Sequence, residues 1–272
     1  ANLLVRAPAA SPPADLTSAD LWSLRAFREL DDALLDLRFN FDEVGLILLR
    51  TRGNASAVRE ADERLLALQD DWFAREVLSN MRRVLKRLDL SARSQFALIE
   101  PGSCFTGSLF ELAVAADRAY MFDGSEDDGE AAFVGLTPIN FGPLLMSNGL
   151  TRLQTRFLHD PSKVTGLSDL TGAVDAPTAA ARGLVTFTPD PMDWEDEVRL
   201  AIEERVSLSP DALTGMEASL RFAGPETMET KIFGRLSAWQ NWIFQRPNAV
   251  GPRGALTLYG RPERPEFDWR RT

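Results

Sequence analysis

The residues best suited to chemistry lie in one short segment, positions 99–113, which reads IEPGSCFTGSLFELA. Apolar residues of strand type lead into a turn of small residues, and a helical pattern begins near Gly107. Backbone N–H groups at such a helix start carry the positive end of the dipole and can stabilise a developing oxyanion. Glu111 stands one turn into the helix, where a carboxylate can donate or accept a proton. The alternative is a tight packing turn in which Glu111 only caps the helix.

Other nucleophiles and metal ligands are scarce, because the sequence has one cysteine, Cys104, and one histidine, His159. A structural zinc site needs about four N/S ligands, so we predict no metal site. No residue near Cys104 supplies a base, and a buried core thiol is expected there. The low cysteine count is typical of a reducing compartment, which predicts a cytoplasmic protein.

The charge balance limits the partners. The chain has 272 residues, 30 Lys+Arg against 40 Asp+Glu, and a net charge of −10. This argues against a nucleic-acid partner or an anionic membrane surface, although a local basic pocket for a phosphorylated ligand stays possible. The longest uncharged run, residues 131–151, contains prolines and glycines and does not read as a membrane span. Because the chain begins at Ala1, we expect a trimmed or processed piece of a longer protein.

The apolar pattern predicts an α/β fold with a helical C-terminal region. We expect an α/β core over residues 1–190 and a helical region for packing or oligomerisation over residues 191–272. Asp20 is the expected cap of the first helix. The predicted strands are 44–49, 96–99, 118–122 and 184–187, and the predicted helices are 20–40, 59–88 (as one or two), 107–116 and 143–157.

Three further segments have a predicted character. Residues 7–14, APAASPPA, read as a linker, and residues 123–130, DGSEDDGE, read as a solvated acidic loop. The late helical segment, residues 228–244, is rich in aromatic residues, and we expect its apolar side to pack against another domain or subunit. The apolar residues concerned are Ile232, Phe233, Leu236, Trp239, Trp242, Ile243 and Phe244.

Residues 107–113, GSLFELA, resemble the G-x-x-x-E-L-A stretch of the crotonase (enoyl-CoA hydratase/isomerase) superfamily. Residues 179–185 (AAARGLV), 202–213 and 254–267 are similar to three further segments of that family, so the resemblance covers essentially the whole chain. It implies the ClpP/crotonase spiral of ββα units with a helical C-terminal region, an acyl-CoA thioester ligand and a homo-oligomer.

A narrower resemblance is carried by residues 225–230 (PETMET) and 239–250 (WQNWIFQRPNAV), with support from residues 100–108 and 140–156. These segments are similar to the C-terminal half of the benzoyl-CoA-dihydrodiol lyases, also described as 2,3-epoxybenzoyl-CoA dihydrolases. In that family one polypeptide carries two crotonase-like halves, opens the ring of an epoxidised benzoyl-CoA with water and releases formate in aerobic bacterial benzoate degradation. The resemblance implies no metal or redox cofactor, with coenzyme A present only as part of the substrate.

The crotonase resemblance also implies two backbone oxyanion donors and one or two glutamates. The donors fall at Ser108 and, more loosely, at Ala57, and Glu111 keeps the first glutamate. Pro138 takes the place of the second glutamate, and proline cannot transfer a proton. We therefore predict that this chain does not run a two-glutamate mechanism by itself.

Candidates for substrate binding are Asn140, which could hydrogen-bond a ligand, and Arg246 and Arg253, which could meet coenzyme A phosphates. Three functions stay open. The first is a catalytically degenerate half that supports an N-terminal crotonase-like half of the same polypeptide, with a homodimer expected. The second is a self-sufficient acyl-CoA hydratase or hydrolase using Glu111. The third is a non-catalytic module that binds or assembles CoA thioesters.

Overall fold

The structure is a computed structural model that describes residues 1–9, 18–125, 131–170, 172–221, 224 and 226–270. The predicted linker at 7–14 and the predicted acidic loop at 123–130 lie in part outside these ranges. The predicted α/β class is confirmed, because a parallel sheet is surrounded by helices.

The main sheet has four parallel strands in the order β1-β2-β3-β5, and a second sheet pairs β4 with β6. Leu48 of β2 lies between Asn2 of β1 and Phe96 of β3, which fixes the register of the main sheet. All six residues of β3 are buried, and the last four form the apolar run expected for a strand covered on both faces. The strands are β1 (Asn2–Arg6), β2 (Leu46–Arg52), β3 (Ser94–Ile99), β4 (Phe105–Thr106), β5 (Arg118–Met121) and β6 (Val134–Gly135).

Helices make up most of the remaining described chain. The N-terminal α-helices are α1 (Trp22–Asn40), α2 (Ala55–Ala67), α3 (Trp72–Asp89), α4 (Phe110–Ala115), α5 (Arg152–Arg156), α6 (Ser162–Leu167) and α7 (Ala176–Ala181). The C-terminal ones are α8 (Trp194–Ser207), α9 (Pro210–Arg221), α10 (Met228–Lys231), α11 (Ser237–Ile243) and α12 (Pro247–Val250). Two 3₁₀ turns, Gly107–Leu109 and Pro138–Phe141, precede α4 and α5, and a π-helical turn, Ile232–Leu236, joins α10 to α11.

Both faces of the main sheet are covered. On one face α1 and α3 pack against the strands, and the apolar side of α3 includes Val77, Met81 and Leu85. On the other face Trp194 and Val198 of α8 pack against strand residues such as Phe96. Helix α3 begins where the Asp71 carboxylate accepts hydrogen bonds from two backbone N–H groups of the first turn. The sheet is thereby held between an N-terminal helical layer and the C-terminal region.

The topology brings two chain segments to one edge of the sheet. Strands β2 and β3 are parallel, so the residues that follow Arg52 and Ile99 leave from the same edge. The first segment enters α2 and the second enters the Gly107–Leu109 turn, and α2 contacts that turn. This is where ligands bind in open parallel sheets, and it places residues from α2 and α4 side by side.

Three local predictions were wrong. The helix predicted over 143–157 is confined to Arg152–Arg156, because the Thr151 hydroxyl accepts from the Gln154 N–H and caps a new start there. Asp20 is not the cap of α1, whose N-cap position is Leu21. The strand predicted over 184–187 is reduced to one parallel bridge between Tyr120 and Phe187.

Beyond α9 the chain exposes apolar surface. Phe233 is 74% exposed, Met228 is 68% exposed and Leu236 is 55% exposed. The expectation that this segment packs on another domain or subunit stays a prediction, as does the division at residue 190. Within the described residues, no helix is both long and apolar enough to cross a membrane.

Candidate functional site

The turn that leads into α4 requires glycine at position 107. Gly107 has a φ of +52°, in the left-handed region that side chains disfavour. A Cβ at this position would lie 2.1 Å from the Oδ2 of Asp62 and 2.9 Å from the Oγ1 of Thr137. The turn is therefore packed directly against a carboxylate from α2.

The Asp62 carboxylate accepts a hydrogen bond from the Ser108 N–H, the backbone donor that was predicted from the sequence. The N–H of Ser108 donates to Oδ2 of Asp62 over 2.7 Å, and both residues are fully buried. Burial raises the pKa of Asp62 to about 7, against the lowering effect of the Ser108 hydrogen bonds. The Oδ1 of Asp62 has no hydrogen-bond partner in the described part of the chain. The position where a ligand oxyanion would meet Ser108 is filled by the protein itself.

The Glu111 carboxylate is also buried and bonded within the protein, and one of its two partners is the cation Arg152. Its Oε1 accepts from Nδ2 of Asn140 over 2.7 Å, and its Oε2 accepts from Nη1 of Arg152 over 3.1 Å. The side chain is 1% exposed. Burial raises the pKa of Glu111, while the Arg152 charge and both hydrogen bonds favour the ionised carboxylate.

Arg152 is the centre of this cluster. Its Nε and Nη2 contact the two carboxylate oxygens of Asp89 at 3.2 and 2.6 Å, a bidentate pair. Its Nη1 also donates to the carbonyl oxygen of Leu144. Because Arg152 is only 2% exposed, one buried guanidinium holds α3, α4 and the segment before α5 together.

Asn140 belongs to the same cluster and does not face an open site. Its Nδ2 donates to the carbonyl oxygen of Gly107 as well as to Glu111, and its Oδ1 accepts from the N–H of Thr137. The neighbouring Pro138 is exposed and lines a cavity of about 530 Å³. The other residues lining that cavity are Arg59, Glu63, Leu136, Thr137, Phe141, Gly142, Ser168 and Leu170. Glu111 is not among them, so the retained glutamate and the cavity are separate.

The other predicted site residues lie apart from this cluster. Ala57 is the third residue of α2 and is half-buried. Arg246 pairs with Asp211 over 3.1 Å, and Arg253 pairs with Glu266 on the exposed surface. In the described part of the chain, neither arginine forms an ion pair with Glu111 or Asp62. The structure thus brings together Ser108, Glu111 and Asn140 and leaves Arg246 and Arg253 in the C-terminal region.

Cys104 lies in the turn between β3 and β4 and is completely buried. Its N–H donates to the Thr51 hydroxyl over 2.9 Å. Burial raises the pKa of its thiol, which disfavours the nucleophilic thiolate. These features agree with the expected packed core thiol.

A second buried network joins the C-terminal region to the sheet. Glu217 of α9 accepts from the Ser94 hydroxyl at the start of β3 over 2.5 Å and lies 3.1 Å from Nη2 of Arg221. Arg205 of α8 donates to the same hydroxyl over 2.9 Å, and Arg221 contacts Asp117 over 3.1 Å. Burial raises the pKa of Glu217 to about 8, and the nearby Asp117 contributes.

Solved structures with the same fold are numerous. The chain aligns with an enoyl-CoA hydratase from Geobacillus kaustophilus with a TM-score of 0.67 and 15% identity, covering 90% of this chain and 87% of that one. An enoyl-CoA hydratase from Bacillus anthracis gives a TM-score of 0.65 and 16% identity over 91% and 90% of the two chains. The chain has the crotonase-superfamily fold. At these identities the likeness establishes the fold alone.

Sequence comparison is more specific. The chain is 52% identical over 276 residues to benzoyl-CoA-dihydrodiol lyase of Aromatoleum evansii, covering 99% of this chain and 49% of that protein. The chain therefore spans about half the length of this relative and is homologous to one half of it. No protein-family model matches the sequence.

Three residues of this buried cluster were not predicted from the sequence: Asp62, Arg152 and Asp89. Asp62 gave a usable signal, because it falls among Val58, Ala61 and Leu65 on the buried face of α2. An acidic residue on such a face must meet a hydrogen-bond donor or a cation. Arg152 and Asp89 gave no local signal, since they are 63 residues apart and meet only in the folded chain.

General acid–base catalysis requires a carboxylate within about 2.6–3.2 Å of the proton that it transfers. Both oxygens of Glu111 already accept hydrogen bonds inside the protein. The Ser108 N–H is likewise engaged. The arrangement is suited to holding elements together rather than to exchanging protons with a ligand.

Proposed function

We propose that this chain is a catalytically degenerate crotonase-like half of a ring-opening enzyme that acts on 2,3-epoxybenzoyl-CoA in aerobic benzoate degradation. Its homology to one half of benzoyl-CoA-dihydrodiol lyase supports the assignment. In this proposal the chain is the C-terminal half, and a catalytic N-terminal half supplies the glutamate pair. The enzyme acts in the cytoplasm, needs no metal or redox cofactor and assembles as a homodimer.

The main support for the proposal is that Glu111 is buried and hydrogen-bonded within the protein. Its two oxygens are bonded to Asn140 and Arg152, and its side chain is 1% exposed. The crotonase resemblance puts Pro138 at the position of the second carboxylate. A buried carboxylate that is paired in this way helps to hold the fold together, and its burial keeps it out of reach of a substrate proton.

The exposed apolar residues after α9 support a role in assembly. Met228, Phe233 and Leu236 are each more than half exposed, and apolar patches of this kind mark interaction surfaces. In the proposal this surface contacts the catalytic half or the second subunit.

The test is an assay of 2,3-epoxybenzoyl-CoA consumption and formate release. We expect no turnover by this chain alone, and turnover when it is co-produced with the half of the Aromatoleum evansii lyase that it does not match. In the assembled enzyme, Glu111→Gln should change kcat by less than about twofold, because Gln can keep one of the two hydrogen bonds. Turnover by the chain alone, or loss of turnover in the Glu111→Gln enzyme, would overturn the proposal.

A second candidate, an acyl-CoA hydratase or hydrolase that uses Glu111, is favoured by one observation. Asn140 and Arg152 both favour the ionised carboxylate, which is the form of a general base. This candidate predicts that the chain alone hydrates or hydrolyses an acyl-CoA thioester and that Glu111→Gln abolishes the activity. An unchanged rate in that variant rejects it.

A further inference from the structure

A cavity of about 330 Å³ lies between the C-terminal end of α4 and helices α5, α8 and α9. Four arginines and two aspartates are among the residues that line it: Arg152, Arg156, Arg205, Arg221, Asp89 and Asp117. Two further carboxylates pair with these arginines from behind the wall, since Glu111 contacts Arg152 and Glu217 contacts both Arg205 and Arg221.

The two aspartates are already engaged within the wall. Asp89 forms the bidentate pair with Arg152. Oδ2 of Asp117 accepts from Arg221 over 3.1 Å and from the N–H of Gln95 over 2.6 Å. Together with Glu111 and Glu217, these carboxylates pair with Arg152, Arg205 and Arg221.

Arg156 is the guanidinium left uncompensated. Its Nε donates to the carbonyl oxygen of Gly183 over 2.6 Å, and it forms no ion pair in the described part of the chain. Burial lowers the pKa of its guanidinium, because no nearby carboxylate offsets the desolvation. An anion in the cavity would supply that missing charge.

Two further polar atoms on the lining residues lack partners. The Nε of Arg221 and the Oγ1 of Thr155 are buried, and neither makes a hydrogen bond within the described residues. The Arg221 side chain is only 7% exposed. A guanidinium N–H is a donor without acceptor capacity, so an oxygen-rich ligand satisfies it and a cation does not.

We propose that this cavity binds a small oxyanion of the phosphate type, with Arg156 as the principal contact and Arg221 and Thr155 as further donors. Guanidinium groups bind phosphate oxygens through paired N–H donors, which matches the fork of Arg156. The cavity volume accommodates a phosphate group together with part of the molecule that carries it. The site is independent of the proposed function, since Glu111 does not line the cavity.

Isothermal titration calorimetry in phosphate-free buffer at constant ionic strength tests the site. The ligands are inorganic phosphate and adenosine 3′,5′-bisphosphate, with chloride as the reference salt. We expect binding by the wild-type protein and an affinity loss of about tenfold in Arg156→Gln, equivalent to about 1.4 kcal/mol. A bisphosphate affinity about ten times that for phosphate identifies a nucleotide phosphate as the source, and equal affinities identify free phosphate.

The matched control is Arg182→Gln, which removes an exposed arginine near Gly183 and should leave the affinity within about twofold. Arg156→Lys keeps the charge without the fork and should give intermediate affinity. If Arg156→Gln fails to fold, Thr155→Val supplies the test, with a smaller expected loss. Absence of heat in the wild-type protein, or equal losses in Arg156→Gln and Arg182→Gln, would overturn the proposal.

Discussion

Two buried networks in this molecule use the same chemistry with different results. Around Arg152, one cation faces the carboxylates of Asp89 and Glu111, and all four carboxylate oxygens accept hydrogen bonds. Around Glu217, by contrast, the Oε2 atom lies 3.1 Å from Nη2 of Arg221 without forming a hydrogen bond in the described residues, and the pKa is raised to about 8. The first network lies inside the core, while the second joins α9 to the sheet.

The two networks therefore differ in how completely their carboxylate oxygens are hydrogen-bonded. In the Arg152 network, the core brace, every carboxylate oxygen accepts a hydrogen bond, although burial raises the pKa of both Glu111 and Asp89. Burial raises the pKa of Glu217, and the nearby Asp117 adds to the rise. We therefore expect the junction with the C-terminal region to weaken as the pH rises through about 8, where Glu217 ionises.

The largest expected effect is that of Arg152→Met. This change removes the cation and leaves Glu111 and Asp89 buried without compensation. Breaking a buried ion pair by removing one partner costs about 3–5 kcal/mol. Urea unfolding followed by circular dichroism measures the loss in the free energy of unfolding.

The matched control is Arg199→Met, which removes exposed pairs with Asp196 and Glu203 on α8 and should cost less than about 1 kcal/mol. If Arg152→Met lowered the free energy of unfolding as little as the control does, the Arg152 network would be no more stabilising than surface ion pairs.

The next effect is a pH dependence that originates in Glu217. Its pKa is raised from 4.5 to about 8, so the folded state binds more protons than the unfolded state between these values. Stability is therefore full below pH 4.5 and decreases as the pH rises through about 8. We expect a decrease on the order of 3 kcal/mol between pH 6 and pH 9 from this group, measured by urea unfolding at each pH.

Glu217→Gln is the control for that pH dependence, because it keeps the shape and removes the titration. The variant should unfold with a flatter pH profile, and Glu204→Gln on the exposed part of α8 should leave the profile unchanged. A wild-type stability that rises from pH 6 to pH 9 would reverse the assigned direction.

A smaller effect of the same sign is expected for Asp62, whose pKa is raised from 3.8 to about 7. Its contribution is full below pH 3.8 and is lost as the pH rises through about 7. The free energy of unfolding of Asp62→Asn should therefore rise by about 2 kcal/mol relative to that of the wild type between pH 5 and pH 8. Equal slopes of stability against pH in the two proteins would show that Asp62 does not titrate in this range.

The smallest effect is expected outside both networks. Phe233→Ser removes a side chain that is 74% exposed and should change the stability of this chain by less than about 0.5 kcal/mol. The same substitution should weaken assembly with a partner half, measured by analytical ultracentrifugation. A large stability loss in the isolated chain would place Phe233 in the core instead.

Much of the fold could be predicted from the sequence, because short apolar runs such as residues 96–99, bounded by turn residues, favour a buried strand. The helix predicted over 143–157 failed for a local reason. Gly149 adopts a φ of +80°, and the Thr151 cap restarts the helix after it. Periodicity detects an apolar face but does not detect a cap that divides the segment.

The candidate site was predictable only in part. The spacing from Gly107 to Glu111 and the resemblance of that segment placed Ser108 and Glu111 correctly in the turn and in α4. Their partners could not be read locally, because Arg152 lies 41 residues from Glu111 and Asp62 lies 46 residues from Ser108. Whether a carboxylate is free or bonded is decided by such long-range contacts.

The enclosure of Glu111 by Arg152 changes how natural variation at this position is read. A glutamate that braces three elements contributes to stability whether or not it takes part in catalysis. A change that frees its carboxylate from Arg152 also removes the brace and lowers the free energy of unfolding. A glutamate at this position is therefore not by itself evidence of an activity.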